Sequence, residues 1–107
     1  MAKRATITWT KKGYQTLISV TEYRAKFVGT DGANLFQIEL LDHIKEKLVH
    51  PERYAPCRNK ILQENGCRCL TFRKNWIIVF RVDDNVPTIF GIVYARSVNK
   101  AFGDLVK

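Results

Sequence analysis

Acidic residues are in short supply in this chain: ten Asp and Glu stand against eighteen Lys and Arg, a formal net charge of +8 over 107 residues. Cysteine and proline occur three times each and methionine once. Each shortage excludes something. Cys57, Cys67 and Cys69 are an odd set, and the basic Met-Ala-Lys-Arg-Ala-Thr start has no apolar signal core behind it. A disulfide framework is therefore not expected; thiols packed as small hydrophobes are. Taken with His43 and His50, the cysteines lack the paired spacings of a structural zinc site, so no metal is expected, and no cofactor either. The longest apolar run, Trp76 to Phe80, is five residues, against about 20 for a membrane-spanning helix. Repeats and low-complexity segments are missing too. What remains is a composition of 46% hydrophobic and 26% charged residues, ordinary for a globular domain. The expectation is one cytoplasmic domain over residues 1–107, with no membrane contact.

Patterning assigns the elements. Residues 5–9 alternate, with Ala5, Ile7 and Trp9 on one side and Thr6 and Thr8 on the other, the period of a half-buried strand. Thr10 reads as an N-cap, and behind it Tyr14, Leu17, Ile18, Thr21, Ala25 and Val28 form a helical stripe. Gly29 ends that helix, and Thr30-Asp31-Gly32 supplies turn and cap chemistry for a second one. Its stripe is Phe36, Leu40, Leu41, Ile44 and Leu48, and Pro51 stops it. Residues 50–66 carry two prolines and no period, and read as a connecting loop. Strands are predicted from Cys67 to Phe72, from Trp76 to Val82 and from Thr88 to Ala95. The turns between them are Arg73-Lys74-Asn75 and Asp83-Asp84-Asn85. Ser97 to Val106 suits a short final helix. The fold class is α+β: an N-terminal strand, a helical hairpin packed on an antiparallel β-meander, and a short C-terminal helix.

The positive charge points to a partner rather than a fold, namely nucleic acid, an acidic protein or an anionic surface. Residues 57–81 hold Arg58, Lys60, Arg68, Arg73, Lys74 and Arg81 against Glu64 alone, which makes them the candidate polyanion-binding residues. Arg81 shares its strand face with Ile77 and Val79, where a charge is costly unless the face is open or partnered. Trp9 and Trp76 fall with the large apolar residues and read as core.

Several stretches resemble a known family in order and spacing. Ile7-Thr8-Trp9-Thr10 before a helix, Leu48-Val49-His50-Pro51-Glu52-Arg53-Tyr54, Gly66-Cys67-Arg68-Cys69-Leu70, the run Lys74 to Asp84, and Ile92-Val93-Tyr94-Ala95-Arg96-Ser97 are similar to RelE/ParE-type toxins of bacterial type II toxin–antitoxin modules, the plasmid-stabilisation family. The resemblance covers roughly residues 5–103 and implies one of two activities. RelE-like members cleave mRNA in the ribosomal A site without a metal, and ParE-like members poison DNA gyrase. Both are neutralised by an antitoxin.

Cleavage through the ribose 2′-OH needs a proton acceptor, a proton donor and cations for the developing charge. Arg96 matches the arginine that the resemblance places after the last strand, and Lys100 follows it. Ile77 stands where RelE-like nucleases carry an arginine, Phe102 stands near their terminal tyrosine, and no Tyr or His follows Tyr94. Arg96, Lys100 and Tyr94 are the catalytic candidates, but a dedicated acid–base pair is missing. The balance favours a growth inhibitor of the gyrase-directed kind over an mRNA endonuclease, with a non-toxic basic nucleic-acid-binding module as the reading from another class. An acidic antitoxin would anchor on Ile77, Val79, Phe102 and Leu105, and Arg96 would join the cations facing the target.

Overall fold

The computed structural model describes residues 5–95 and Leu105. The first element is a short strand, β1 (Thr8–Trp9), followed by a long helical element, α1 (Lys11–Lys47). Thr10 caps it, its hydroxyl accepting from the Gly13 N–H at 2.9 Å, as its position before the apolar stripe predicts. At Gly29 (φ 78°, ψ 172°) the helical conformation is interrupted, in a region of backbone space that only glycine occupies at low cost. The chain doubles back there. Gln37 Nε2 donates to Thr21 Oγ1 at 3.0 Å, although sixteen residues of straight helix would separate them by about 24 Å. The expected hairpin is present, with a tighter turn than expected: Gly29 alone leaves the helical region, and Thr30-Asp31-Gly32 already belongs to the second arm.

The second arm ends before Pro51, which opens a 3-10 turn (Pro51–Arg53). A short helix, α2 (Lys60–Glu64), follows, capped by Asn59, whose side-chain oxygen accepts from Leu62 N–H. Sequence patterning reads 50–66 as loop throughout. Five residues are too few to display a period, so the cap was its only sign. Three strands complete the domain: β2 (Arg68–Phe72), β3 (Trp76–Asp83) and β4 (Val86–Tyr94). Asp84 and Asn85, both at positive φ, join β3 to β4, the left-handed pair that suits strand twist.

The sheet order is β1-β4-β3-β2, with β1 parallel to β4 and the other pairs antiparallel. The sheet is therefore mixed. β1 is shorter than the alternation over 5–9 suggests, because Ala5 N–H turns away to the Lys45 carbonyl at 2.9 Å. A bulge at Phe90, between the Val79–Gly91 and Phe80–Ile89 pairs, lets β4 supply large side chains to both faces. On one face the hairpin buries Leu17, Val20, Phe36, Leu40, Ile44 and Leu48 against Leu70, Phe72, Trp76, Ile78, Phe80, Ile89 and Ile92. Trp76 lies in this core as expected, and Trp9 packs at its margin. On the other face, Cys57, Leu62, Cys67 and Leu105 cover Val79, Phe90 and Val93.

The cysteines depart from expectation. Cys57 and Cys69 are joined as a disulfide, and only Cys67 is a buried free thiol. Twelve positions apart in sequence, the pair meets because the chain returns on itself. Cys57 N–H donates to the Cys67 carbonyl at 3.0 Å, a proximity that spacing alone does not reveal. Among the described residues no metal-binding cluster forms, and no helix is long and apolar enough to cross a membrane.

Candidate functional site

A cleft of 590 Å³ opens between the first arm of α1 and the end of the sheet where β3 begins and β4 ends. Ser19, Val20, Tyr23, Arg24 and Phe27 line it from the helix, and Asn75, Trp76 and Tyr94 from the sheet. Its walls are aromatic. Tyr23 and Phe27, one helical turn apart, stack edge to face with centroids 5.1 Å apart, and Tyr94 tilts against Trp76 at 5.3 Å. Phe27 is 67% exposed, Tyr23 54% and Tyr94 37%. Large rings left in water beside a cavity are costly to keep unless something covers them in use.

Arg24 supplies the charge in this cleft. Its guanidinium lies 4.9 Å from the Phe36 ring centroid, and its Nε is buried without a hydrogen-bond partner among the described residues. A buried donor left unpaired costs about 1–3 kcal/mol, so an incoming acceptor is favoured. Beside the cleft, the β2–β3 connection holds Arg73 and Lys74 at φ 51° and 64°, left-handed backbone that costs a non-glycine residue about 1–2 kcal/mol. Arg73 is pinned by an ion pair with Glu39 and by the rings of Phe72 and Phe36, at 4.9 and 5.6 Å. Lys74 projects from the same turn, exposed.

The remaining cations do not gather here. Arg68 lies on the hairpin face, where it donates to the carbonyls of Tyr54 and Glu52. Arg81 lies on the opposite face, 4.8 Å from the Phe90 centroid and bonded through Nε and a terminal nitrogen to the Asp83 carboxylate at 2.9 and 3.1 Å. That carboxylate raises the Arg81 pKa further. Arg58 and Lys60 are exposed near Arg81's end of the sheet, in the segment around α2. The basic run from 57 to 81 thus divides into a turn group beside the cleft and a distal group. Strand alternation and the length of β3 separate them, about 17 Å from Trp76 to Arg81.

Of the apolar candidates, Val79 is fully buried, and Leu105 closes over the same face, packed so near Gly91 that a Cβ there would meet its methyl at 2.4 Å. Ile77 is half-buried beside them. Arg96, Lys100 and Phe102 lie outside the described residues. His43 is occupied elsewhere: its Nε2 lies 3.1 Å from the Thr71 carbonyl, its ring packs 4.9 Å from Phe72, and burial lowers its pKa despite that hydrogen bond. The titratable side chains lining the cleft are two phenols and a guanidinium. Sequence reasoning missed Tyr23, Arg24 and Phe27. The available signal was an aromatic pair four residues apart lying off the apolar stripe of its helix.

This architecture is one seen before. The fold is shared with a chain of the chromosomal ParDE TA system from P. aeruginosa: the two superimpose with a TM-score of 0.70, covering 85% of this chain and 96% of that one at 19% identity. No protein-family model matches the sequence, and no curated protein does either.

Proposed function

We propose that this chain is the toxin of a two-component toxin–antitoxin pair, a growth inhibitor neutralised by a cognate acidic antitoxin and acting on DNA gyrase rather than by cutting RNA. The observation that carries the reading is its likeness to the ParDE chain along nearly that chain's whole length. The charge of +8 supports an acidic neutralising partner, because complementary charge speeds encounter. The chemistry of the cleft supports the non-nucleolytic branch: it offers aromatic surface and one buried guanidinium donor, with no imidazole or carboxylate among its lining residues. Such a site holds a partner better than it shuttles protons.

The runner-up, a ribosome-dependent mRNA endonuclease, draws on Tyr94 in the cleft wall, with Arg96 and Lys100 following it in sequence. Two assays separate the readings. Purified protein should inhibit gyrase-catalysed supercoiling, and primer extension on translated messages should show no codon-phased cuts. Codon-phased cuts with unimpaired supercoiling would establish the nuclease instead. Arg96→Ala should relieve growth inhibition by the folded protein under either mechanism, and full toxicity of that variant would remove Arg96 from the site.

A further inference from the structure

On the face of the sheet opposite the hairpin, the 57–66 segment is held by few contacts. Cys57 N–H donates to the Cys67 carbonyl, and Pro56 bridges Arg68. Leu62, fully buried, is the only α2 side chain in the core. The Asn59 cap and the 2.9 Å bond from Cys67 N–H to the Leu62 carbonyl lie within or at the edge of the loop itself. A helix of this length is not stable alone. Among the described residues the further attachments are the packing of buried Cys57 and its disulfide to Cys69, which closes the loop containing α2.

We propose that Cys57–Cys69 is a reversible redox modification site, and that its reduction by a dithiol releases the 57–66 segment from the sheet while leaving the rest of the fold in place. Cys57 is 1% exposed and Cys67 0%, but Cys69 is part-exposed on β2, an edge strand. The reachable sulfur is therefore Cys69 Sγ. A reductant thiolate attacks it, the Cys57–Cys69 bond breaks, and the departing Cys57 thiolate takes up a proton. The second thiol of the reductant, losing its proton, then attacks the mixed disulfide. It closes the reductant's own disulfide and frees Cys69. Two electrons and two protons pass from dithiol to protein. The positive charge of the chain favours approach of the thiolate. Cys67 takes no part, because burial raises its pKa and only the thiolate reacts. Release would also move Arg58 and Lys60, so the redox state would set the placement of two surface cations.

The test is iodoacetamide labelling with mass spectrometry on the whole protein, alongside amide hydrogen exchange, with and without dithiothreitol. Protein isolated under non-reducing conditions should take no label. After reduction, Cys57 and Cys69 should label together, and Cys67, uncovered as Cys57 and Leu62 leave it, should label after them. Amides of 57–66 should then exchange on the order of tenfold to a hundredfold faster, in keeping with opening a loop of this size, with β3 and β4 unchanged. Reoxidation should restore the slow exchange, and Cys57→Ser should show the fast pattern without reductant. The wild-type comparison stands if that variant does not fold. Labelling of Cys57 and Cys69 without reductant would overturn the proposal. So would unchanged exchange in 57–66 after reduction, or loss of protection across the whole sheet.

Discussion

At Gly13 the first turn of α1 passes so close to β4 that an added Cβ would lie 2.3 Å from the Ile89 carbonyl oxygen. The neighbouring side chains maintain this approach: Thr16 donates to the Gly13 carbonyl at 2.7 Å and accepts from Ile92 N–H at 2.9 Å. Gly13→Ala must push the helix away from backbone that cannot yield. Its expected cost is about 1–3 kcal/mol, read as a lower midpoint in thermal unfolding. His43 provides a pH-dependent contribution. Its folded pKa lies below the ordinary 6.5, chiefly through desolvation. The unfolded chain therefore binds more protons than the folded one as pH falls through and below that value. Stability should be fully present above pH 6.5 and decline as the pH drops toward the folded pKa. Denaturant melts of the wild type and His43→Gln across that window should converge in slope if another group is responsible, and diverge if His43 is.

The hairpin is the element on which the cleft depends, since its first arm carries Tyr23, Arg24 and Phe27. Gly29 has no neighbour within 4 Å of an added Cβ, so Gly29→Ala tests backbone conformation alone. The expected loss is about 1–3 kcal/mol, and a chevron or equilibrium melt measures it. Much of this level was legible in sequence, because caps, breakers and long periodic stripes are local signals. Thr10, Gly29, Pro51 and the two strand turns each fall where their chemistry predicts. Pairing was not legible. The parallel contact of β1 with β4, the Cys57–Cys69 bond and α2 all depend on where distant residues meet, and none leaves a period behind. The basic run is spread over both faces for the same reason: residues alternate across a sheet, and Arg68 and Arg81 end on opposite sides of it. The cleft joins helix residues 19–27 to strand residues 75–94, a juxtaposition that folding creates.

Across the whole molecule, burial of both sheet faces leaves the aromatic cleft beside the Arg73-Lys74 turn as the described surface best furnished to hold a partner. On the apolar strand face Val79 lies beneath Leu62 and Leu105, whereas the helix side carries exposed aromatic rings. Tyr23 and Phe27 are more than half exposed, and replacing both with alanine should change stability little, by about 0.5 kcal/mol per site. If the cleft engages the target, the same pair should weaken binding by 2 kcal/mol or more, as central aromatic anchors do, given the usual hot-spot range of about 2–4 kcal/mol. The most direct measurement is colony formation during induced expression of the unmutated chain without any antitoxin, with the folded Tyr23→Ala, Phe27→Ala double variant in parallel. Loss of viability is expected with the unmutated chain, and its recovery with the variant. Unimpaired growth in cells that accumulate the soluble, folded wild-type protein would contradict the toxin reading.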